Sequence, residues 1–176
     1  MMRRRFAVVA ATISALLVMG LGLALGADAR SDELRTVQSV TARFNSLQQA
    51  ERAGYVPFYI CAEQPGVGTM GQHYVNFDLV GDPTIDPLQP EALVFEPKAD
   101  GGYKLVALEW VRVGPQEATP PTVLGHDMLY RTAPNRYGIE PGFYERHYWL
   151  YKDNPLGAFE DWNPTVSCRG QGDNGG

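Results

Sequence analysis

Residues 143–168 place the strongest constraint on the fold. The first part of this segment alternates between two sets of side chains, as a β-strand does, and His147 shares its set with the aromatic residues Phe143 and Trp149. The segment then turns at Asn154-Pro155 and again at Asn163-Pro164, and it ends at Cys168. The sequence therefore predicts a strand followed by a rigid loop whose end can be covalently anchored.

The N-terminal residues 1–29 have the pattern of an export signal. Three arginines at positions 3–5 precede an apolar run over residues 6–25, and Ala27, Asp28 and Ala29 form an A-x-A cleavage site. We expect the mature, secreted or extracytoplasmic chain to begin near Arg30. An uncleaved membrane anchor is the alternative. The adjacent arginines before a phenylalanine also fit the twin-arginine pattern, so Sec and twin-arginine export both stay open.

The charge of the mature chain narrows its partners. The signal removes three of the 15 basic and one of the 20 acidic residues, which leaves a net charge of −7. An acidic chain without Lys/Arg clusters argues against nucleic acid and anionic membrane as partners. No second apolar run is long enough to cross a bilayer, so we expect no membrane contact after signal cleavage. The length predicts a single domain over residues 30–168, followed by a polar, glycine-rich and disordered tail at 169–176.

The chain has two cysteines, and both lie in the exported part. In an oxidising compartment the simplest expectation is a Cys61–Cys168 disulfide. Such a bond closes a loop of about 107 residues, which in the chain-entropy view contributes roughly 4–5 kcal/mol of stability. The alternative is that a cysteine binds a metal, although the pair lacks C-x-x-C spacing.

An amphipathic helix is predicted at residues 31–53. Its apolar side chains recur at spacings of three and four, Ser31 or Asp32 can cap its start, and Gly54 follows its end. Short strands with turn-rich connections follow, at residues 55–61, 72–79, 92–96, 103–113 and about 123–129, and then from residue 143. This order predicts an α+β fold in which the N-terminal helix packs on a curved antiparallel sheet or partial barrel.

Three polar residues interrupt apolar strand faces: His73, Glu109 and His147. An ionisable group on an apolar face is costly unless it is paired or bound to a metal. Two histidines and a carboxylate are the ligand set of a facial triad, which holds a divalent transition metal such as Fe(II), Zn or Mn and leaves positions open. We therefore expect these three side chains to lie on one side of the sheet and to share a ligand.

Other interpretations of the same residues stay open. The three side chains can form a structural hydrogen-bond network, or they can line a pocket for a small molecule without a metal. Glu145 can replace Glu109 as the carboxylate, while Met70 and Glu91 are outer candidates. His126 lies in a predicted loop and is expected at the surface.

Three stretches carry a resemblance to known proteins: residues 70–75 (MGQHYV), 86–96 (DPLQPEALVFE) and 154–168 (NPLGAFEDWNPTVSC). With the end of the predicted helix, they make most of the mature chain resemble a family of exported bacterial proteins that has no assigned activity. The resemblance implies export but supplies no catalytic residues. The chain also invites comparison with cupins, which hold a metal on histidines, but it lacks their H-x-H pair.

The sequence thus favours a secreted, disulfide-locked, single-domain protein that binds a small ligand or a metal. One alternative is an extracellular metal-dependent enzyme that uses His73, Glu109 and His147. Another is a structural or interaction protein without a small-molecule site. No G-x-S-x-G or H-E-x-x-H pattern identifies catalytic residues.

Overall fold

A computed structural model describes residues 30–171, so the predicted signal at 1–29 lies outside the described residues. By its internal contacts the described part of the chain divides into two units between Thr36 and Val37, and the sheet, the candidate metal centre and the clefts lie in the second unit. No helix among the described residues is long and apolar enough to cross a membrane.

The predicted helix is broken into three pieces. Helix α1 covers residues 30–41, a 3-10 turn follows at Ala42–Asn45, and α2 covers Leu47–Arg52. The break falls at Ser46, whose backbone is extended. Just before it, the Asn45 side-chain amide donates to the Ala42 carbonyl, which is the local competition that disfavours Asn and Ser inside helices. The 3-10 turn and α2 both contact the sheet through strand β4.

The core of the fold is a curled six-stranded sheet with the order β1-β2-β3-β4-β8-β7, in which every neighbouring pair is antiparallel. Its strands are β1 (Val56–Gln64), β2 (Gly68–Val75), β3 (Ala92–Pro97), β4 (Tyr103–Val113), β7 (Leu129–Thr132) and β8 (Gly142–Tyr148). A separate two-stranded ribbon pairs β5 (Thr122–Val123) with β6 (His126–Asp127). The sheet forms half a barrel with helix packed on it, which confirms the predicted α+β class.

Several strand boundaries differ from those predicted. Strand β2 begins at Gly68, before the predicted start at residue 72, and it ends at Val75. The alternation expected to run on to Leu79 stops because Asn76 caps a short helix α3 (Phe77–Val80), with its Oδ1 accepting from the Asp78 backbone N–H at 3.1 Å. The strand expected near 123–129 is divided among β5, β6 and β7.

The loop after β8 returns to the sheet at strand β2. Asn163 pairs with Thr69 on β2 through two backbone hydrogen bonds of 3.1 Å. Within the loop, Trp149 donates its indole N–H to the Glu160 carbonyl at 2.6 Å. The loop ends at the Cys61–Cys168 disulfide, with a Cα–Cα distance of 5.6 Å, and this confirms the predicted bond.

The first residues of the predicted tail form a 3-10 turn at Arg169–Gln171. In this turn Gly170 packs closely against the backbone of Lys98, at the end of the β3 hairpin strand. Residues 172–176 lie outside the described residues.

Candidate metal centre

The structure brings His73, Glu109 and His147 together in the interior of the half-barrel. The Nε2 atoms of the two histidines lie 3.2 Å apart. Glu109 places Oε2 at 3.4 Å from His73 Nε2 and Oε1 at 3.7 Å from His147 Nε2. All three side chains are less than a tenth exposed. As expected, the three side chains lie on one face of the sheet and their ligand atoms converge.

Strand register explains why two of the three residues, Glu109 and His147, meet. Glu109 and His147 are direct cross-strand partners on β4 and β8, so they share a face and lie side by side. His73 comes from β2, which is separated from β4 by β3. Small buried residues line the face between them. Ala92 on β3 is the cross-strand partner of Glu109. Val94 on β3 pairs with His73 on one side and with Ala107 of β4 on the other. The curl of the sheet and these short side chains let His73 reach the other two.

Each imidazole ring has an outer partner that leaves its Nε2 facing the cluster. The His73 ring donates a hydrogen bond to the Gly71 backbone carbonyl. His147 Nδ1 faces Asp161 Oδ1 at 3.5 Å, although no hydrogen bond of good geometry joins them. Asp161 is held in turn by the Arg131 guanidinium, which also pairs with Glu145. A carboxylate behind a histidine is the usual outer partner of a metal ligand, because it orients the ring.

Burial and neighbouring charges shift all three ligands from their ordinary pKa values. Burial lowers the pKa of His73 to about 3, and the nearby His147 and Arg136 charges add to this effect. Burial raises the pKa of Glu109 to about 8, against the attraction of His147. Burial alone would lower the pKa of His147, but Glu109, Asp161 and Glu145 outweigh it and raise the value to about 9. The pocket therefore stabilises a neutral His73 beside a positive charge at or near His147.

The distances suit a metal held by three ligands. For bonds of about 2.0–2.2 Å, ligand atoms around a tetrahedral or octahedral ion lie roughly 3.0–3.5 Å apart. The 3.2 Å and 3.4 Å separations fall in that range, and the 3.7 Å one is slightly longer. Two imidazoles and one carboxylate are also a donor set that Zn, Fe(II) and Mn accept.

A small apolar cavity of about 50 Å³ adjoins the cluster. His73, Glu109 and Glu145 supply its polar atoms, and the rest of its wall is largely aliphatic and aromatic. By volume it can hold a few water molecules or a molecule of similar size. Two wider clefts of about 290 and 430 Å³ lie outside it, and the side chains of Arg136 and Tyr137 line both.

The other residues that the sequence offered as metal ligands do not place a ligand atom in the cluster. Glu145 hydrogen-bonds with Glu109 and pairs with Arg131, so it lies beside the ligands. Met70 accepts from Arg136 at 3.2 Å, and Glu91 accepts from the Val111 backbone N–H at 3.0 Å. His126 is half-buried and stacks on Phe159 rather than lying free at the surface.

Sequence reasoning missed four residues around the site, namely Asp161, Arg136 and Tyr137 from loops and Arg131 from strand β7. Asp161 offered one signal, since it is an acidic residue between two Asn-Pro turns that fix the loop's path. Arg136 and Tyr137 offered none, because the positions of loop side chains follow no strand period. Arg131 offered none because the predicted strand ended near residue 129, before the part of β7 that holds it.

The chain finds no significant match among protein-family models, curated proteins or solved structures.

Proposed function

We propose that this chain binds one divalent transition metal through His73, Glu109 and His147. The observation that carries the proposal is the convergence of three buried side chains from three strands. The two Nε2 atoms lie 3.2 Å apart, His73 Nε2 lies 3.4 Å from Glu109 Oε2, and His147 Nε2 lies 3.7 Å from Glu109 Oε1. A buried carboxylate and two buried imidazoles cost free energy unless each finds a partner, and one cation can serve all three.

Hydrogen bonds alone can join this cluster when it binds protons instead of a metal. The His73 proton that goes to Gly71 leaves Nε2 as an acceptor, and Nε2 faces both His147 and the Glu109 carboxylate. An acceptor 3.4 Å from a carboxylate oxygen is repelled unless Glu109 carries a proton, and its raised pKa of about 8 lets Glu109 carry one at neutral pH. A bound metal ion removes the need for this proton, because the inward-facing nitrogen and oxygen lone pairs then bind the ion.

A catalytic role fits the site better than a purely structural one. Structural zinc sites are closed by four protein ligands, whereas catalytic sites use three and keep a position open. Here three ligands converge, and His73 and Glu109 also line the small cavity in which a water or substrate atom can sit. The finer proposal is therefore an exported, disulfide-locked, metal-dependent enzyme acting on a small ligand.

Metal analysis of the protein exported by its native host tests the proposal. We expect close to one equivalent of a transition metal in the parent protein. His147→Ala should lose that metal while keeping its circular dichroism spectrum. His126→Ala is the matched control, since it removes a histidine that stacks on Phe159 away from the cluster, and it should retain the metal.

Two results would count against the proposal. A parent protein that takes up no Zn, Mn or Fe(II) on reconstitution has a hydrogen-bonded network instead of a metal centre. Equal metal content in the His147 and His126 variants would place the metal elsewhere.

A further inference from the structure

Strand β1 contains a strained bulge beside the candidate metal centre. The pairing register with β2 jumps between Phe58 and Ala62, and Tyr59 within the jump has a φ of +55°. A non-glycine residue in this left-handed region costs on the order of 1–2 kcal/mol. Such strain persists only where the surroundings hold it, and it concentrates at functional sites.

A buried glutamine holds the bulge in place. Gln72 is 2% exposed, and its Nε2 donates to the Tyr59 carbonyl at 2.8 Å and to the Phe58 carbonyl at 3.3 Å. These bonds replace the backbone partners that the bulged residues lose. The bulge is therefore a built feature of the fold, and Gln72 is the neighbour of the metal-ligand candidate His73.

The bulge shapes the wall of the cleft of about 430 Å³ that reaches His73. Phe58, Tyr59 and Tyr137 form an aromatic wall, with ring centroids 4.7 to 5.4 Å apart. Tyr59 is 58% exposed at this wall. The volume falls within the range of about 300–1,000 Å³ that is typical of small-molecule sites, and aromatic walls favour flat apolar ligands.

Arg136 supplies an uncompensated positive charge at the cleft. Its guanidinium lies 4.6 Å from the Tyr137 ring centroid and donates to two neutral acceptors, Met70 Sδ and the Tyr137 hydroxyl. Among residues 30–171 no carboxylate lies within ion-pair distance of it. Glu63 is the other charged residue of this cleft, and it is exposed on β1.

The metal site would add to this positive charge. A divalent ion with Glu109 as its single anionic ligand carries a net charge of about +1. A ligand that passes Arg136 and reaches the ion therefore meets two positive centres in succession. A carboxylate suits both, because it pairs with guanidinium groups and binds metals through oxygen.

We propose that the metal centre accepts small aromatic monocarboxylates through this cleft, with the aromatic ring on the Phe58–Tyr59–Tyr137 wall and the carboxylate between Arg136 and the metal. The inference rests on the proposed metal site and names the class of ligand that the site takes.

Cobalt(II) substitution allows the two proposals to be tested separately. Cobalt uptake, followed by visible absorption, reports the metal site. Titration of the cobalt protein with benzoate, benzamide and benzylammonium then reports ligand entry, because the three probes share a ring and differ in charge. We expect a saturable spectral change with benzoate and at least tenfold weaker responses with the other two.

The variant that tests the charge is Arg136→Ala, with Arg136→Lys as the conservative partner. Arg43→Ala is the matched control, since Arg43 also lies 4.6 Å from an aromatic ring centroid, that of Phe44, but does not line the cleft. We expect cobalt uptake to be unchanged in all three variants. The benzoate dissociation constant should rise at least tenfold in Arg136→Ala, less in Arg136→Lys, and not in Arg43→Ala.

The outcomes distinguish the two claims. Failure of the parent protein to bind cobalt would overturn the metal site and this inference with it. Normal cobalt uptake without a benzoate response, with a preference for benzylammonium, or with equal benzoate affinity in Arg136→Ala and Arg43→Ala would overturn the inference and leave the metal site standing.

Discussion

His73 Nε2 and His147 Nε2 lie 3.2 Å apart although two other strands separate β2 from β8 in the sheet. In a flat sheet three strand spacings would hold these backbones about 14 Å apart. The curl of the half-barrel brings the two side chains across its interior. The candidate metal centre is therefore a consequence of sheet curvature, and changes that disturb the curvature near β2 should disturb the site.

Gly71 tests this dependence on curvature. It has a φ of +104°, and an added Cβ would lie 2.8 Å from the Phe95 carbonyl oxygen and 2.8 Å from Val94 Cγ1. We expect Gly71→Ala to lower the free energy of unfolding by about 2–3 kcal/mol, through backbone strain and overpacking. The carbonyl of Gly71 also holds His73, so metal affinity should fall as well.

Gly101→Ala is the control for Gly71→Ala. Gly101 has a φ of +81° but nothing within 4 Å of an added Cβ, so only the backbone term of about 1 kcal/mol applies. Urea unfolding measures both variants. Equal losses in the two variants would show that the close approach of β3 to Gly71 has no energetic consequence.

The sequence identifies the three central residues because strands obey a simple alternation. His73, Glu109 and His147 each interrupt an apolar face, so they can be named as one candidate site before the strand order is known. Their meeting depends on strand order and curl, which no local pattern encodes. The same alternation gave a wrong prediction at Phe77 and Leu79. The apolar residues continue at every second position past Val75, but Asn76 caps a helical turn there.

Asp161 is expected to orient His147 for metal binding. Asp161→Asn removes the charge behind the ring and weakens the Arg131 pair, so the metal dissociation constant should rise about 10–100-fold. Asp153→Asn is the matched control, because it makes the same change at an exposed position in the same loop. Competition with a chromophoric chelator measures both. Unchanged metal affinity in Asp161→Asn would show that Asp161 does not orient His147 for metal binding.

Glu91 should make stability depend on pH. Burial raises the pKa of this carboxyl to about 7 from an ordinary 4.5, partly offset by the hydrogen bond from Val111 N–H. The folded state therefore holds the Glu91 proton more tightly than the unfolded state does. The stability that this proton contributes is complete below about pH 4.5, falls as the pH rises toward 7, and is lost above pH 7. The loss corresponds to about 3 kcal/mol.

Glu91→Gln keeps a hydrogen-bond acceptor but cannot ionise. The free energies of unfolding of parent and variant should therefore diverge between pH 4.5 and pH 7, with the variant gaining relative to the parent. Unfolding curves across that range measure the difference. Parallel pH profiles for the two proteins would show that Glu91 ionises without cost.

The disulfide should contribute a large part of the stability. Removal of the bond in the double variant Cys61→Ala/Cys168→Ala frees a loop of 107 residues, and we expect a loss of roughly 4–5 kcal/mol. A reductant should destabilise the parent by a similar amount and leave the double variant unchanged. A reductant effect of equal size in both proteins would point to a cause other than this bond.

Anomalous diffraction from crystals of the zinc- or cobalt-loaded protein locates the metal and so tests the proposed centre. We expect one strong anomalous peak in the half-barrel interior, about 2.0–2.2 Å from His73 Nε2, His147 Nε2 and a Glu109 carboxylate oxygen. A metal-loaded crystal with no peak at these three residues, or with its peak on other side chains, would contradict it.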